Sequence, residues 1–182
     1  MLLFYLSIVN SDTEKEKIIY IYENYYSYMA YKAGQYLKNK QDIEDIVHNS
    51  MIKIIDNLDL IDTEDEVKSK CFCGVIAKNK AIDFIKAKDN QNLSLNELIT
   101  EDYTDDNPED LFITRESYNI ILETIKSMSD VYRDVCMLKY VNGLKEREIA
   151  LILDLSPKNV SLRIFRGKQL LRDALRRENL HV

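Results

Sequence analysis

Four glycines and two prolines are all that 182 residues contain, and this scarcity constrains the fold more than any other feature. Sandwiches and barrels need many tight turns, which Gly and Pro punctuate. A chain so poor in both must run in long helices with short connections. The length suits one medium domain or two small ones. With 46% hydrophobic residues a core can be buried.

Nothing in the sequence reads as an export or membrane signal. Met1 to Val9 is apolar, but it lacks a basic start and a small-residue cleavage site, and it is too short to span a bilayer. A frayed or core-docking N-terminus is the simpler reading, so a cytoplasmic chain without membrane insertion is expected. Cys71, Cys73 and Cys136 are an odd set, which in such a chain points to reduced thiols. Cys71 and Cys73 have no second Cys pair, and His48 and His181 stand alone. Neither a metal site nor a cofactor is expected.

The formal charge of −6 argues against nucleic acid only if its distribution is ignored. Residues 1–88 carry 12 basic and 14 acidic groups, and residues 89–118 set Arg115 against nine acids. Residues 119–182 carry 12 basic and eight acidic groups. The middle is acidic and the end is basic.

Helical periodicity runs from Glu14 to Leu37 through Ile18, Ile21, Tyr25, Met29 and Ala33. The tyrosines there read as a core stripe with wet hydroxyls rather than a base-stacking platform. A second helix begins near Gln41 or Asp42, with Asp42, Glu44 and Asp45 placed to suit its dipole. An acidic loop follows at 59–66, then a third helix from about Val67 to Lys88 with lysines crowding its second half. Residues 89–114 read as an acidic linker interrupted by Pro108. Periodicity then resumes, and helices are predicted over about Asp130–Val141, Lys145–Leu153 and Pro157–Arg177. The fold class is therefore all-α: two small helical domains, 1–88 and 115–182, joined by the linker, the second a helix-turn-helix.

The strongest local signal is that motif. Ile149, Ala150 and Leu153 point inward on a short helix, Asp154 and Leu155 make the turn, and Ser156 and Pro157 suit the next helix start. Asp154 stands where such turns often have Gly; Asp is among the few residues that tolerate the left-handed conformation. Lys158, Asn159, Ser161, Leu162, Arg163, Phe165 and Arg166 line the N-terminal turns of the second helix, the part that enters the major groove in this motif. Arg can pair with guanine, Asn with adenine, and an apolar group can touch the thymine methyl. Gly167, inside that helix, costs roughly 1 kcal/mol against Ala unless close packing needs it.

A helix-turn-helix alone fits many regulators; the N-terminal half discriminates. The segment 42–54, DIEDIVHNSMIKI, resembles the polymerase-binding segment of bacterial RNA polymerase sigma factors. The segment 76–86, IAKNKAIDFIK, is similar to their −10-reading segment, and residues 140–171 to their −35-reading segment. The order and the length resemble the extracytoplasmic-function (ECF) type. The resemblance implies no catalysis. Asp42, Asp45, His48, Asn49 and Lys53 would dock on core RNA polymerase. Asn79 and Asp83 match positions near a captured base of melted promoter DNA, with Lys78, Lys80, Lys86 and Lys88 on its backbone and the loop at 59–69 shaping the pocket. The second-helix residues named above would read double-stranded −35 DNA. Factors of this type are commonly held by an anti-sigma factor, so one is an eligible partner. His48, Ser50, Met51, Phe72, Ser161, Leu162 and Gly167 depart from the usual residues. The changes in the recognition helix mean that promoter sequence does not carry over. The rival readings are a stand-alone dimeric repressor or activator, an enzyme, for which no nucleotide loop, metal motif or triad is present, and a helical adaptor.

Overall fold

The computed structural model describes residues 1–88 and 115–177; the acidic segment 89–114 lies outside the described residues. Every regular element among the described residues is helical. The N-terminal module comprises α1 (Leu2–Ile8), α2 (Asp12–Gly34), α3 (Lys40–Ile55), a 3₁₀ turn (Leu58–Leu60) and α4 (Glu66–Lys88). The C-terminal module comprises α5 (Arg115–Ser127), α6 (Asp130–Cys136) with a wide turn over Met137–Val141, α7 (Glu146–Leu153) and α8 (Pro157–Arg177).

Local chemistry sets the helix starts. The Asn39 side chain accepts from the backbone N–H groups of Gln41 (2.8 Å) and Asp42 (3.4 Å), which opens α3 one residue before the earliest predicted start. Asp65 does the same for Val67 and Lys68 at α4. The Lys145 backbone N–H donates to the Glu148 carboxylate at 2.7 Å as α7 begins. The helix predicted over 130–141 changes pitch: the Asn142 N–H bonds the Met137 carbonyl, five residues back, at 3.2 Å.

Ile18, Ile21, Tyr25, Met29 and Ala33 make the buried stripe of α2; the first four meet Val47, Met51 and Ile54 of α3 and Phe72, Val75 and Ile76 of α4, while Ala33 packs with Ile46 of α3 and Ala81 of α4. The N-terminal segment is a docked helix, with Tyr5 wholly buried. In the second module Ile121, Ile125, Met128, Cys136, Leu171 and Leu175 bind α5, α6 and α8 together. Gly167 lies where α8 crosses α6. A Cβ there would run into the Cys136 sulfur, so close packing does require this glycine.

The two modules touch. Val135, Leu138, Leu144 and Ile149 of the second belong to the same apolar cluster as Phe72 and Ile76 of the first. α4 packs on the 137–141 turn and on α7. The Asn142 carboxamide donates to the Lys68 carbonyl across the seam at 2.9 Å.

Candidate nucleic-acid interface

Asp154 holds φ 52° and ψ 42°, the left-handed corner that turns α7 into α8. An L side chain rarely adopts this conformation, and Asp and Asn tolerate it best. The backbone N–H groups of Asp154 and Leu155 both reach the Ala150 carbonyl, which closes the end of α7. The Ser156 hydroxyl then accepts from the Asn159 N–H at 3.3 Å. Val160, Ile164, Gly167, Leu171 and Leu175 form the buried stripe of α8.

That stripe decides which residues face outward. Lys158, Ser161 and Phe165 are exposed, and Asn159, Leu162, Arg163 and Arg166 are half-buried. Ser161 donates to the Glu146 carboxylate on α7. Arg166 donates to the Tyr132 hydroxyl at 3.2 Å. Burial pushes the Arg163 guanidinium below its ordinary pKa, against the opposing pull of Asp134 and Tyr132. The seven residues therefore share one helix segment but not one environment: Lys158, Ser161 and Phe165 lie on the open side, while Arg163 and Arg166 lean on α6.

On α3, Asp45 and Asn49 are one turn apart and both exposed. Asp42 pairs with Lys88 of α4 at 3.3 Å. His48 is held by α1: its Nδ1 lies 2.9 Å from the Tyr5 hydroxyl, with the Phe4 and Tyr5 rings 5.6 and 5.5 Å away. A core-docking N-terminus is one of the two expectations for this segment, but that it braces His48 is not legible in so short and unspecific an apolar run.

The second half of α4 divides in two. Asp83 and Lys86 are exposed, and Lys88 lies over the Phe84 ring. Lys78, by contrast, is buried; its ammonium sits 2.5 Å from Asp134 and 3.6 Å from Asp130, both on α6. The Asn79 carboxamide donates to the Val75 carbonyl (2.9 Å) and to Asp134 (3.0 Å). Lys80 reaches Asp154 at 3.2 Å, and the same carboxylate takes Lys53 of α3 at 2.8 Å. Burial raises the Asp134 carboxyl above its usual pKa, with Lys78 and Asn79 pulling against it. At Asp154 the hydrogen bonds and charges of Lys53 and Lys80 outweigh desolvation and hold the carboxyl below its usual range.

A shallow cleft opens beside the acidic loop, lined by Tyr20, Asn24, Tyr25, Tyr28, Glu66 and Lys70. The Tyr25 hydroxyl donates to the Glu66 carbonyl at 3.3 Å and the Lys70 ammonium lies 5.3 Å from the Tyr28 ring centre. The loop thus borders a cleft, but Asn79 and Asp83 do not line it. All three cysteines are free thiols. Among the described residues no cluster of His, Cys, Asp and Glu could hold a metal, and no helix is long and apolar enough to cross a membrane.

A left-handed turn feeding a basic helix, beside a helical module with an acidic-start helix and a lysine-rich one, defines a helical transcription protein that meets DNA. Comparisons narrow the class. The family model described as sigma-70 region 2 matches residues 21–91, and that for sigma-70 region 4 matches residues 118–171. The chain is 32% identical over 170 residues to the ECF RNA polymerase sigma factor SigW of Bacillus subtilis, covering 87% of each. It is 26% identical over 148 residues to RNA polymerase sigma factor SigV of the same organism, covering 81% of this chain and 84% of that one. A shorter match, 36% over 63 residues, covers 35% of this chain and 33% of the ECF RNA polymerase sigma-E factor of Escherichia coli. The chain belongs to the sigma-70 family, among the ECF sigma factors. It is a sigma factor that directs transcription initiation, and the stand-alone regulator is not favoured.

Proposed function

We propose a division of labour at residue level. Asp42, Asp45, His48, Asn49 and Lys53 dock the chain on core RNA polymerase. Lys78, Asn79, Lys80, Asp83, Lys86 and Lys88 meet the melted −10 strand. Lys158, Asn159, Ser161, Leu162, Arg163, Phe165 and Arg166 read or hold the −35 duplex. The observation that carries this reading is the exposed start of α8, set by the left-handed corner at Asp154, with Lys158, Ser161 and Phe165 on its open side and Asn159 half-buried beside them. Lysine and arginine neutralise phosphates, Asn and Phe can touch base edges, and a rigid helix fixes their register. Asp45 and Asn49 support the docking role because their shared exposed face has no core of its own to serve. The work is done inside the cell, where polymerase and DNA are, and an anti-sigma factor would act by covering these same faces. The protein itself carries out no bond chemistry.

The test separates the faces. Asn159→Ala should lower selectivity for −35 sequence, by about 5- to 150-fold for one lost base contact, while binding to core polymerase stays unchanged. Asn79→Ala should leave −35 binding intact and reduce permanganate reactivity of thymines in the −10 region. Normal melting by Asn79→Ala would remove the −10 assignment, and equal loss of core binding and selectivity by Asn159→Ala would remove the −35 assignment.

A further inference from the structure

Helix α1 is apolar on both of its faces, and only one of them is covered. At about 100° per residue, Leu2, Tyr5 and Leu6 fall together on one side and pack on the core. Leu3, Phe4, Ser7 and Ile8 take the other side, and all four are exposed. Leu3 keeps 84% of its surface in solvent, Phe4 51% and Ile8 43%. The Ser7 hydroxyl donates to the Phe4 carbonyl at 2.7 Å, so its one polar group is satisfied within the helix. We infer that this outer face of α1 is an apolar anchor for core RNA polymerase, continuous with the docking residues of α3. The inference rests on the docking reading above and adds to it residues from a second helix.

Continuity, charge and size choose this occupant. Phe4 lies with its ring 5.6 Å from the His48 ring, and the Tyr5 hydroxyl lies 2.9 Å from His48 Nδ1. On α3 His48 stands between Asp45 and Asn49, both exposed. The apolar face of α1 and the polar face of α3 therefore meet at His48. An apolar, aromatic centre beside a polar rim is the ordinary anatomy of a protein interface. Charge argues against a lipid surface. Residues 1–14 contain no Lys or Arg, and Asp12 and Glu14 follow α1 directly. Helices that settle on anionic membranes carry basic residues for the headgroups, and this one would be repelled. Size argues against a second copy of the chain. Four side chains on a short helix fall far below the roughly 20–30 residues a side of a stable interface. Against polymerase the same patch is one part of a larger surface, to which α3 supplies the rest.

Chemistry also describes what the partner must present. An apolar groove takes Leu3, Phe4 and Ile8, and a basic group beside it meets Asp45. Single exposed apolar residues need no partner, but three within two turns of one helix make a patch that water does not favour. The patch is held ready. A helix of seven residues does not persist alone in water, yet here the wholly buried Tyr5 and its bond to His48 fix α1 before any partner arrives. Docking then orders little that is not already ordered, which favours affinity.

The experiment uses the full chain carrying Leu3→Gln and Ile8→Gln together. Both side chains are exposed, so helix content and the urea midpoint should not move. Affinity for core polymerase should fall about tenfold; unchanged affinity would overturn the inference. A second measurement needs no loss of binding. A photoreactive group in place of Leu3 should cross-link to the polymerase segment that the same group labels from the position of Asn49. Labelling of a remote segment, or none, would overturn the continuity of the two faces. Phosphatidylglycerol vesicles and sedimentation of the chain alone test the other occupants. Vesicle binding or self-association that the double variant abolishes, with polymerase affinity intact, would give the face to lipid or to a second copy and overturn the proposal. Asp45→Lys separates the two possible failures. Polymerase binding weakened by Asp45→Lys but not by the double variant would remove only this inference, and binding weakened by neither would remove the docking reading with it.

Discussion

Gly167 and Cys136 show how single atoms fix the C-terminal module. Alanine is the better helix former by about 1 kcal/mol, yet its methyl at 167 would collide with the Cys136 sulfur in a filled site. Overpacking of this kind costs about 1–3 kcal/mol. Gly167→Ala should therefore lower the urea midpoint, and adding Cys136→Ala should restore part of the loss; a raised midpoint in the single variant would contradict the packing. The cysteines make a second residue-scale prediction. Burial pushes the Cys71 and Cys136 thiols up to about 12, and raises Cys73 as well. A raised pKa means little thiolate at neutral pH, so the native protein should react slowly with a thiolate-seeking disulfide reagent and quickly once unfolded. A fast native phase would show that these sites are open. Gly167 was legible in sequence as a departure needing a reason, and the reason, a sulfur on another helix, was not, because long-range packing leaves no local mark. The left-handed corner at Asp154 was legible because the side-chain chemistry of Asp allows few other uses at that place in the motif.

At the scale of elements, apolar spacing placed α2, α3, α4, α7 and α8 to within a few residues, since a buried stripe repeats locally. Helix α1 and the wide turn over Met137–Val141 are different. A seven-residue apolar run has too little period to declare itself, and a pitch change depends on what the helix packs against. The element on which the proposed docking rests is α3. Its Asp45 and Asn49 face outward while His48 is braced by Tyr5. Asp45→Lys should weaken binding to core polymerase about tenfold, or roughly 1.4 kcal/mol, with helix content unchanged by circular dichroism; unchanged affinity in a pull-down would remove α3 from the docking face. On α8, Lys158→Ala should weaken binding almost equally across promoter sequences and reduce the salt slope by about 1, as loss of one phosphate contact requires. A change confined to certain sequences would make Lys158 a base reader instead.

Over the whole molecule, two helical modules share one apolar seam studded with charges. The sequence announced the modules and their order, because each carries its own periodicity and motif. It did not announce the seam. Lys53, Lys78 and Lys80 look in sequence like any solvated lysines, and Asp134 differs from a surface acid only in sitting beside Val135 and Cys136 on a buried stripe. Charge pairing across 56 to 101 residues is a property of the folded chain alone. The acidic total charge has a related consequence: the free protein meets DNA with a net charge of −6, so it should bind promoter duplex weakly by itself and depend on polymerase for its affinity. The central claim is tested most directly by mapping the 5′ ends of RNA made by core polymerase on a promoter library, with and without the full-length chain. A new set of starts sharing upstream sequence at two fixed distances is the predicted result. Identical RNA ends in both reactions would contradict the account.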